Sequence, residues 1–397
     1  MKALFIYSWG PPDDVVSAKH VGDLAESFQQ NGYRVDFWCG NRSYRNPKEK
    51  YPYREKLYGI FFNRISNFNF KSVIFRKIVN QLIFNCVLVK RILTNNFLKD
   101  YDIIITSTDP VLNFVLVTNL VKIFNKKTKI VLWSLDLYPE ALAASKKISD
   151  KSLIYKLLSI LAGISYRKID HFLSIGNCMS ERVLKYKINK IDYLYPWALN
   201  DDEVVDKNDI SEYRKRNYPL NKKILLLSGS FGFAHISEEF FKFLDQINDR
   251  KDILLVCSIR GNKADKVINY IQSNNINCII KGFVPLEDLN RHLNSVDIHI
   301  TVVNKKWSGI VVPSKFFGSL NSAKPTLFIG PGSSEVSRVI EKYHVGWTCT
   351  NNNFSEVLKE IESLTRENFD QMSLNAKRYY DKNILKTKQI EKFLEKL

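Results

Sequence analysis

The 397-residue sequence has no run near the roughly twenty uninterrupted apolar residues that a membrane-spanning helix requires. Its opening, MKALFIYSW, lacks the charged start, long apolar stretch and small-residue cleavage site of a secretory signal. Together these absences predict a chain that stays in the cytoplasm. The six cysteines, at 39, 86, 178, 257, 278 and 349, never fall in a C-x-x-C spacing. They lie mostly in apolar strand-like or helix-like contexts and read as small buried hydrophobes, neither disulfides nor zinc ligands. No loop matches G-x-G-x-x-G or the P-loop pattern. The only D-x-D, Asp100-Tyr-Asp102, precedes a strand, at the wrong sheet edge for a metal-bound ligand, and reads as a strand-start turn.

Acidic residues are scarce as well. The 59 Lys and Arg outnumber 41 Asp and Glu, and the net charge of +18 predicts an anionic partner: a nucleotide, a nucleic acid or an acidic membrane. Basic and aromatic residues are not interleaved on one recognition element, so nucleic acid is not expected. From Lys56 to Lys99 there is no Asp or Glu at all, while Lys56, Arg64, Lys71, Arg76, Lys77, Lys90, Arg91 and Lys99 lie among many aromatic and aliphatic residues. Ordinary surface helices interleave both signs. This segment therefore predicts an anionic membrane surface and a peripheral location on the inner face of the plasma membrane; a core helix flanked by solvated lysines is the competing reading.

What is present is a repeated alternation of strand and helix. With 45% apolar residues the chain is globular, and its length suits about two domains. KALFIYS is a buried-strand run; a helical pattern over 15–30 stops at Asn31-Gly32, and RVDFWC is the next strand. The pattern returns at YDIIITS, helix 110–124, KIVLWSL, helix 151–168, and HFLSIG with helix 178–186. After Tyr195-Pro196-Trp197 the composition turns polar, which places a domain boundary there: 1–196 and 197–397. A second alternation follows: ILLLS, helix 236–248, DILLVCS, helix 263–274, INCIIKGF, helix 286–294, VDIHITVV, helix 313–323, and PTLFIG with helix 334–343. From Ser373 to Leu397 the chain is helical and charged. Each half is a Rossmann-like α/β domain with a parallel sheet.

In open parallel sheets ligands bind outside the carboxyl ends of the strands. Four loops there share one character: GSFGFAH with Gly229 and Gly232, IRGNK with Arg260, PSK with Ser314 and Lys315, and PGSSE with Ser333, Ser334 and Glu335. Glycines let backbone N–H groups approach an anion, hydroxyls cap the helix, and the helix dipole adds about half a positive charge. A single Gly or Ser before a helix is commonly an ordinary cap. The coincidence of four on one sheet edge points to a diphosphate, with Arg260 and Lys315 supplying full charges.

Over nearly its whole length the chain resembles the two-domain GT-B glycosyltransferases, in particular family 4 enzymes of bacterial O-antigen and capsule assembly, near the N-acetylfucosamine-transferase branch. The resemblance lies in GYRVDFWCG, DLYPE, YPWALND, LSGSFGFAH, GFVPLEDL, VVPSKFFGSLNSAKP and GPGSSEVSRVIEKYHVG. It implies two Rossmann-like domains facing a central cleft, a nucleotide-sugar donor held by the second domain, and a lipid-linked or saccharide acceptor held by the first. The C-terminal helix would cross back to the first domain. It further implies surface-polysaccharide synthesis, retention of anomeric configuration, and no cofactor or metal. Gly229 and Gly232 would lie near the donor phosphates, Arg260 and Lys315 would pair with them, Phe283 would lie near the base, and Ser314 and Ser334 would donate from helix starts.

The chain departs from that pattern at four positions. The two glutamates usual in the family fall at Ile310 and Gly318, and the usual Arg and Lys after the first strand of the second domain fall near Phe233 and His235. On the acceptor side Asp136, after KIVLWSL, could accept the acceptor's proton or bind its sugar, with Glu140 one turn on; both could equally be caps. A nucleotide-sugar epimerase of the same fold is the alternative, and it needs acid–base residues that Ile310 and Gly318 do not supply.

Overall fold

The computed structural model describes residues 1–13, 15–94, 100–199, 201, 205–282, 284–350 and 353–397. It separates into two compact units, Met1–Tyr195 with Ile390–Leu397, and Pro196–Gln389.

The first unit holds β1 (Lys2–Ile6), β2 (Arg34–Gly40), β3 (Arg54–Leu57), β4 (Ile60–Ile65), β5 (Ile103–Ser107), β6 (Lys129–Trp133), β7 (His171–Ser174) and β8 (Ile191–Tyr193). They form a sheet in the order β3-β4-β2-β1-β5-β6-β7-β8. All neighbours are parallel except β3 and β4. That hairpin is not legible in the apolar pattern, because REKL is charged and only half covered. Its turn explains it: Tyr58 and Gly59 both have positive φ, 52° and 80°, the two-residue geometry whose twist suits antiparallel strands. The chain end belongs to this unit too. Phe393 meets Phe28 and His171, with ring centroids 6.3 and 6.4 Å away, and Lys396 Nζ lies 2.8 Å from Asp192 Oδ1.

The second unit holds β9 (Lys223–Ser230), β10 (Ile253–Arg260), β11 (Cys278–Ile280), β12 (Ile298–Val302), β13 (Thr326–Ile329) and β14 (Gly346–Cys349), all parallel, in the order β11-β10-β9-β12-β13-β14. Strand β9 shows why such runs are apolar throughout. Leu225 and Leu227 enter one core with Phe240 and Phe243, while Ile224 and Leu226 enter the other with Tyr218 and Val296. Helices cover both faces, so alternate residues are buried on alternate sides.

In each unit the first strand is central, and its two neighbours are reached by crossovers in opposite directions. The crevice so created lies outside the carboxyl ends of β1 and β5 in one unit and of β9 and β12 in the other. No described helix is long and apolar enough to cross a membrane. Five cysteines are buried or half-buried, but Cys86 is exposed on the helix Val73–Thr94, because that helix turns an apolar side outward.

Candidate functional site

In the second unit the chain leaves β9 through Gly229, whose φ of +86° an L side chain adopts only with strain. The next residues are tied to the loop after β10: Phe231 N donates to Arg260 O at 2.6 Å, and Lys263 N donates to Phe231 O at 3.2 Å. His235 Nδ1 accepts from Gly232 N at 3.1 Å. Burial, with the Lys315 charge second, drives this imidazole well below its ordinary pKa, so it is a neutral acceptor that shapes the turn. Asn304, just past β12, holds the loop from the other side. Its N donates to Ala234 O and its Nδ2 to Ile236 O, each at 2.7 Å.

Lys315 enters this frame from the first turn of the helix Ser314–Asn321. Its stem crosses Gly229 so closely that a Cβ there would stand 3.3 Å from Lys315 Cε, and its Nζ lies 5.3 Å from the Phe231 ring centroid. It makes no hydrogen bond or ion pair with any described residue. Burial lowers its amine to about 7, weakly opposed by Cys257. A half-buried amine with no counter-ion among the described residues favours the approach of an anion. Gly229→Ala should therefore weaken nucleoside diphosphate binding several-fold, since a methyl group both strains the turn by about 1 to 2 kcal/mol and displaces the Lys315 stem. Calorimetric titration checks this, and unchanged affinity would remove Gly229 from the site.

The other expected donor residues divide. Gly232 and Arg260 belong to the same loop pair, and a Cβ on Gly232 would touch Asn262 Oδ1 at 3.6 Å. Ser314 is exposed at the start of the Lys315 helix. Ser333 lies one strand further along, its Oγ 3.1 Å from Ser308 Oγ. Ser334 is the cap of the helix Glu335–Tyr343, accepting from Ser337 N at 3.3 Å, and Glu335 is buried in that first turn. Phe283 lies outside the described residues, as does Lys99. Ile310 is buried, whereas a Cβ on Gly318 would meet nothing within 4 Å. Sequence reasoning missed Asn304, and also Lys263, whose Nζ lies 4.4 Å from the centroid of the exposed Phe233 ring.

In the first unit the carboxyl ends of β1, β5 and β6 converge on two aspartates. Asp109 accepts from Ser8 Oγ and Trp9 Nε1, each at 3.0 Å. Asp136 is half-buried, and its carboxylate accepts no hydrogen bond among the described residues. Burial, then the charge of Asp109, pushes its carboxyl up to about 6. Tyr138 and Tyr7 face the same pair, their hydroxyls pushed up chiefly by burial. Glu140 points elsewhere: it is buried, accepts from Tyr186 Oη at 2.7 Å, and is ion-paired to Lys185. Its role in this structure is to hold the helix Glu140–Ala144 against Lys185 and Tyr186. Asp109 was missed, although the Ser-Thr-Asp-Pro that ends YDIIITSTDP signals a polar turn at a strand's carboxyl end. Asp102 at the opposite edge accepts from Lys2 N at 2.8 Å, fixing the start of β5.

This geometry is that of the GT-B glycosyltransferase fold, and known structures share it. Sucrose-phosphate synthase from Thermosynechococcus elongatus aligns over 100% of this chain and 98% of its own, with a TM-score of 0.74 and 12% identity. Anabaena HepE, solved in complex with UDP, aligns over 100% and 99% with a TM-score of 0.70 and 13% identity. WaaG, a glycosyltransferase involved in lipopolysaccharide biosynthesis, gives 0.64 and 13% over 98% and 99%. In sequence the chain is 22% identical over 302 residues to the probable glycosyltransferase WbjE of Pseudomonas aeruginosa, covering 74% of this chain and 73% of WbjE. No family model matches.

Proposed function

We propose that the chain is a glycosyltransferase that moves a sugar from a nucleoside-diphosphate donor, bound by the second unit, to a lipid-linked or saccharide acceptor bound at Asp109 and Asp136. The observation that carries this reading is Lys315, a half-buried lysine with no hydrogen-bond or ion-pair partner among the described residues, whose stem lies against Gly229. The departing nucleoside diphosphate gathers negative charge, and fixed N–H groups with Lys315 stabilise that charge as it develops. Neither a metal nor a cofactor is needed for this step. Retention of configuration fits it, because the leaving phosphate can take the acceptor's proton. The likeness to the probable glycosyltransferase WbjE supports sugar transfer, and WaaG, which shares the fold, is involved in lipopolysaccharide biosynthesis; with these goes our reading that the chain works in surface-polysaccharide assembly, of O-antigen or capsule type, on the family 4 branch, at the inner face of the plasma membrane.

The test is a calorimetric screen of the purified chain against nucleoside diphosphates and their sugars, followed by product analysis. Saturable binding of one nucleotide per chain, and sugar transfer only when an acceptor is added, are expected. Absence of any nucleotide binding would defeat the proposal. Formation of an epimeric sugar nucleotide without acceptor would assign the chain to the epimerases instead.

A further inference from the structure

We infer that the helical layer covering β5, β6 and β7 is a docking surface for an anionic lipid bilayer, with the helix Leu153–Lys168 as its inserting element. Three helices form this layer side by side: Val73–Thr94, Asn113–Phe124 and Leu153–Lys168. Asn113 Nδ2 donates to Asn85 Oδ1 and Asn119 Nδ2 to Ser165 Oγ, each at 2.8 Å, and the Phe114 and Tyr166 rings stack at 4.8 Å.

The outer side of the layer is apolar where a surface helix is ordinarily polar. In Leu153–Lys168 the buried residues are Ala162, Gly163, Ser165 and Tyr166, while Leu153, Ile154, Leu157 and Ile160 are 81, 63, 57 and 61% exposed. Positions 153, 157 and 160 follow helical spacing, so they make one outward stripe. In the helix Val73–Thr94, on the other side of Asn113–Phe124, Ile74, Phe75, Ile78 and Leu82 are all more than half exposed, and no residue from 73 to 83 is buried. Nothing in the protein core accounts for so apolar a helical half.

Charge selects the occupant. The segments 66–94, 110–135 and 141–168, which carry these helices, hold five, four and six Lys or Arg and a single acid, Asp150. A second copy docked through the same face would set basic rim against basic rim, as a two-fold interface must. An anionic bilayer meets both features at once, taking the aliphatic stripe into the acyl boundary and the lysines into the headgroups. A helix between parallel strands begins at their carboxyl edge, so the exposed halves of both helices lie toward the edge that carries Asp109 and Asp136. The charge of Lys77 reaches Asp109. Docking would therefore hold that edge at the headgroup level, where the sugar of a lipid-linked acceptor stands; this last step rests on the transferase reading, and the docking itself does not.

Vesicle flotation of the full chain tests it, with phosphatidylglycerol-containing and pure phosphatidylcholine vesicles. The double variant Leu157→Glu/Ile160→Glu, and separately Ile74→Glu, change exposed side chains and should keep the melting temperature. Each should lower recovery with anionic vesicles roughly tenfold, whereas Leu220→Glu, equally exposed in the second unit, should not. Recovery of both variants at the level of the unchanged chain, or no recovery of the unchanged chain, overturns the proposal. So does a concentration-dependent dimer, seen by ultracentrifugation and abolished by the double variant, which would make a second copy the occupant. Nucleoside diphosphate titration of the same preparations separates the two readings: flotation without nucleotide binding sinks the transferase alone.

Discussion

Replacing Lys315 by alanine should lower affinity for a nucleoside diphosphate about tenfold to a hundredfold, the loss of one charge-assisted contact worth roughly 1.5 to 3 kcal/mol. The same lysine should make binding depend on pH with a definite sign. Burial holds its amine at about 7 in the free protein, so above pH 7 it is mostly neutral. An arriving diphosphate favours the protonated form and raises that pKa, so binding takes up a proton and affinity falls as pH rises from 7 to 9, by at most about tenfold per pH unit. Titration in two buffers of different ionisation enthalpy reads the proton directly, and Lys315→Ala should abolish its uptake.

Stability should move the opposite way. The folded chain binds fewer protons at Lys315 than the unfolded chain between pH 7 and the ordinary lysine value near 10.4. The cost of burying the charge is thus full below pH 7 and disappears as pH rises through that window. Lys315→Met should raise the melting temperature at neutral pH while it weakens binding. Affinity unchanged within twofold in either variant would end the phosphate assignment.

Asp136→Asn should cut sugar transfer by about tenfold to a hundredfold, the loss of one charge-assisted hydrogen bond to the acceptor worth roughly 1.5 to 3 kcal/mol, without loss of melting temperature. Burial, and secondarily Asp109, hold this carboxyl at about 6, above its unfolded value near 3.9. The folded state therefore binds more protons than the unfolded one between those values, stability declines as pH rises through them, and the cost is full above pH 6. Asparagine removes that cost at neutral pH. The rate with the unchanged chain should climb through an acid limb near pH 6 and the variant should lack the limb. Full activity of Asp136→Asn would return the residue to a capping role, as the Tyr186 and Lys185 contacts of Glu140 already suggest for that neighbour.

The alternation of strands and helices was legible because burial on both faces forces long apolar runs, as in ILLLS and DIIITS, and because Asn31-Gly32 and the capping serines punctuate them. The boundary near Tyr195 was legible from composition. The β3–β4 hairpin was not, since its signal is two positive φ angles at Tyr58-Gly59 and not an alternation. Of the site, the glycine and lysine loops could be read as types in a pattern; Asp109 and Asn304 could not, because a lone polar residue after a strand is usually only a turn.

The sequence by itself determined the two α/β units, the glycine- and hydroxyl-rich loops at the strand ends of the second, and the segregation of basic residues into the early helices. Those follow from local periodicity and from charge, which depend on neighbours in the chain. Only the tertiary structure decided that Lys315 lies over Gly229, 86 positions earlier, that Asp136 stands within reach of the charge of Asp109, that Glu140 pairs with Lys185, and that Leu153, Ile154, Leu157 and Ile160 face outward. Desolvation and Coulomb interaction act through space, so the chemistry of these groups is set by which loops the parallel sheets bring side by side.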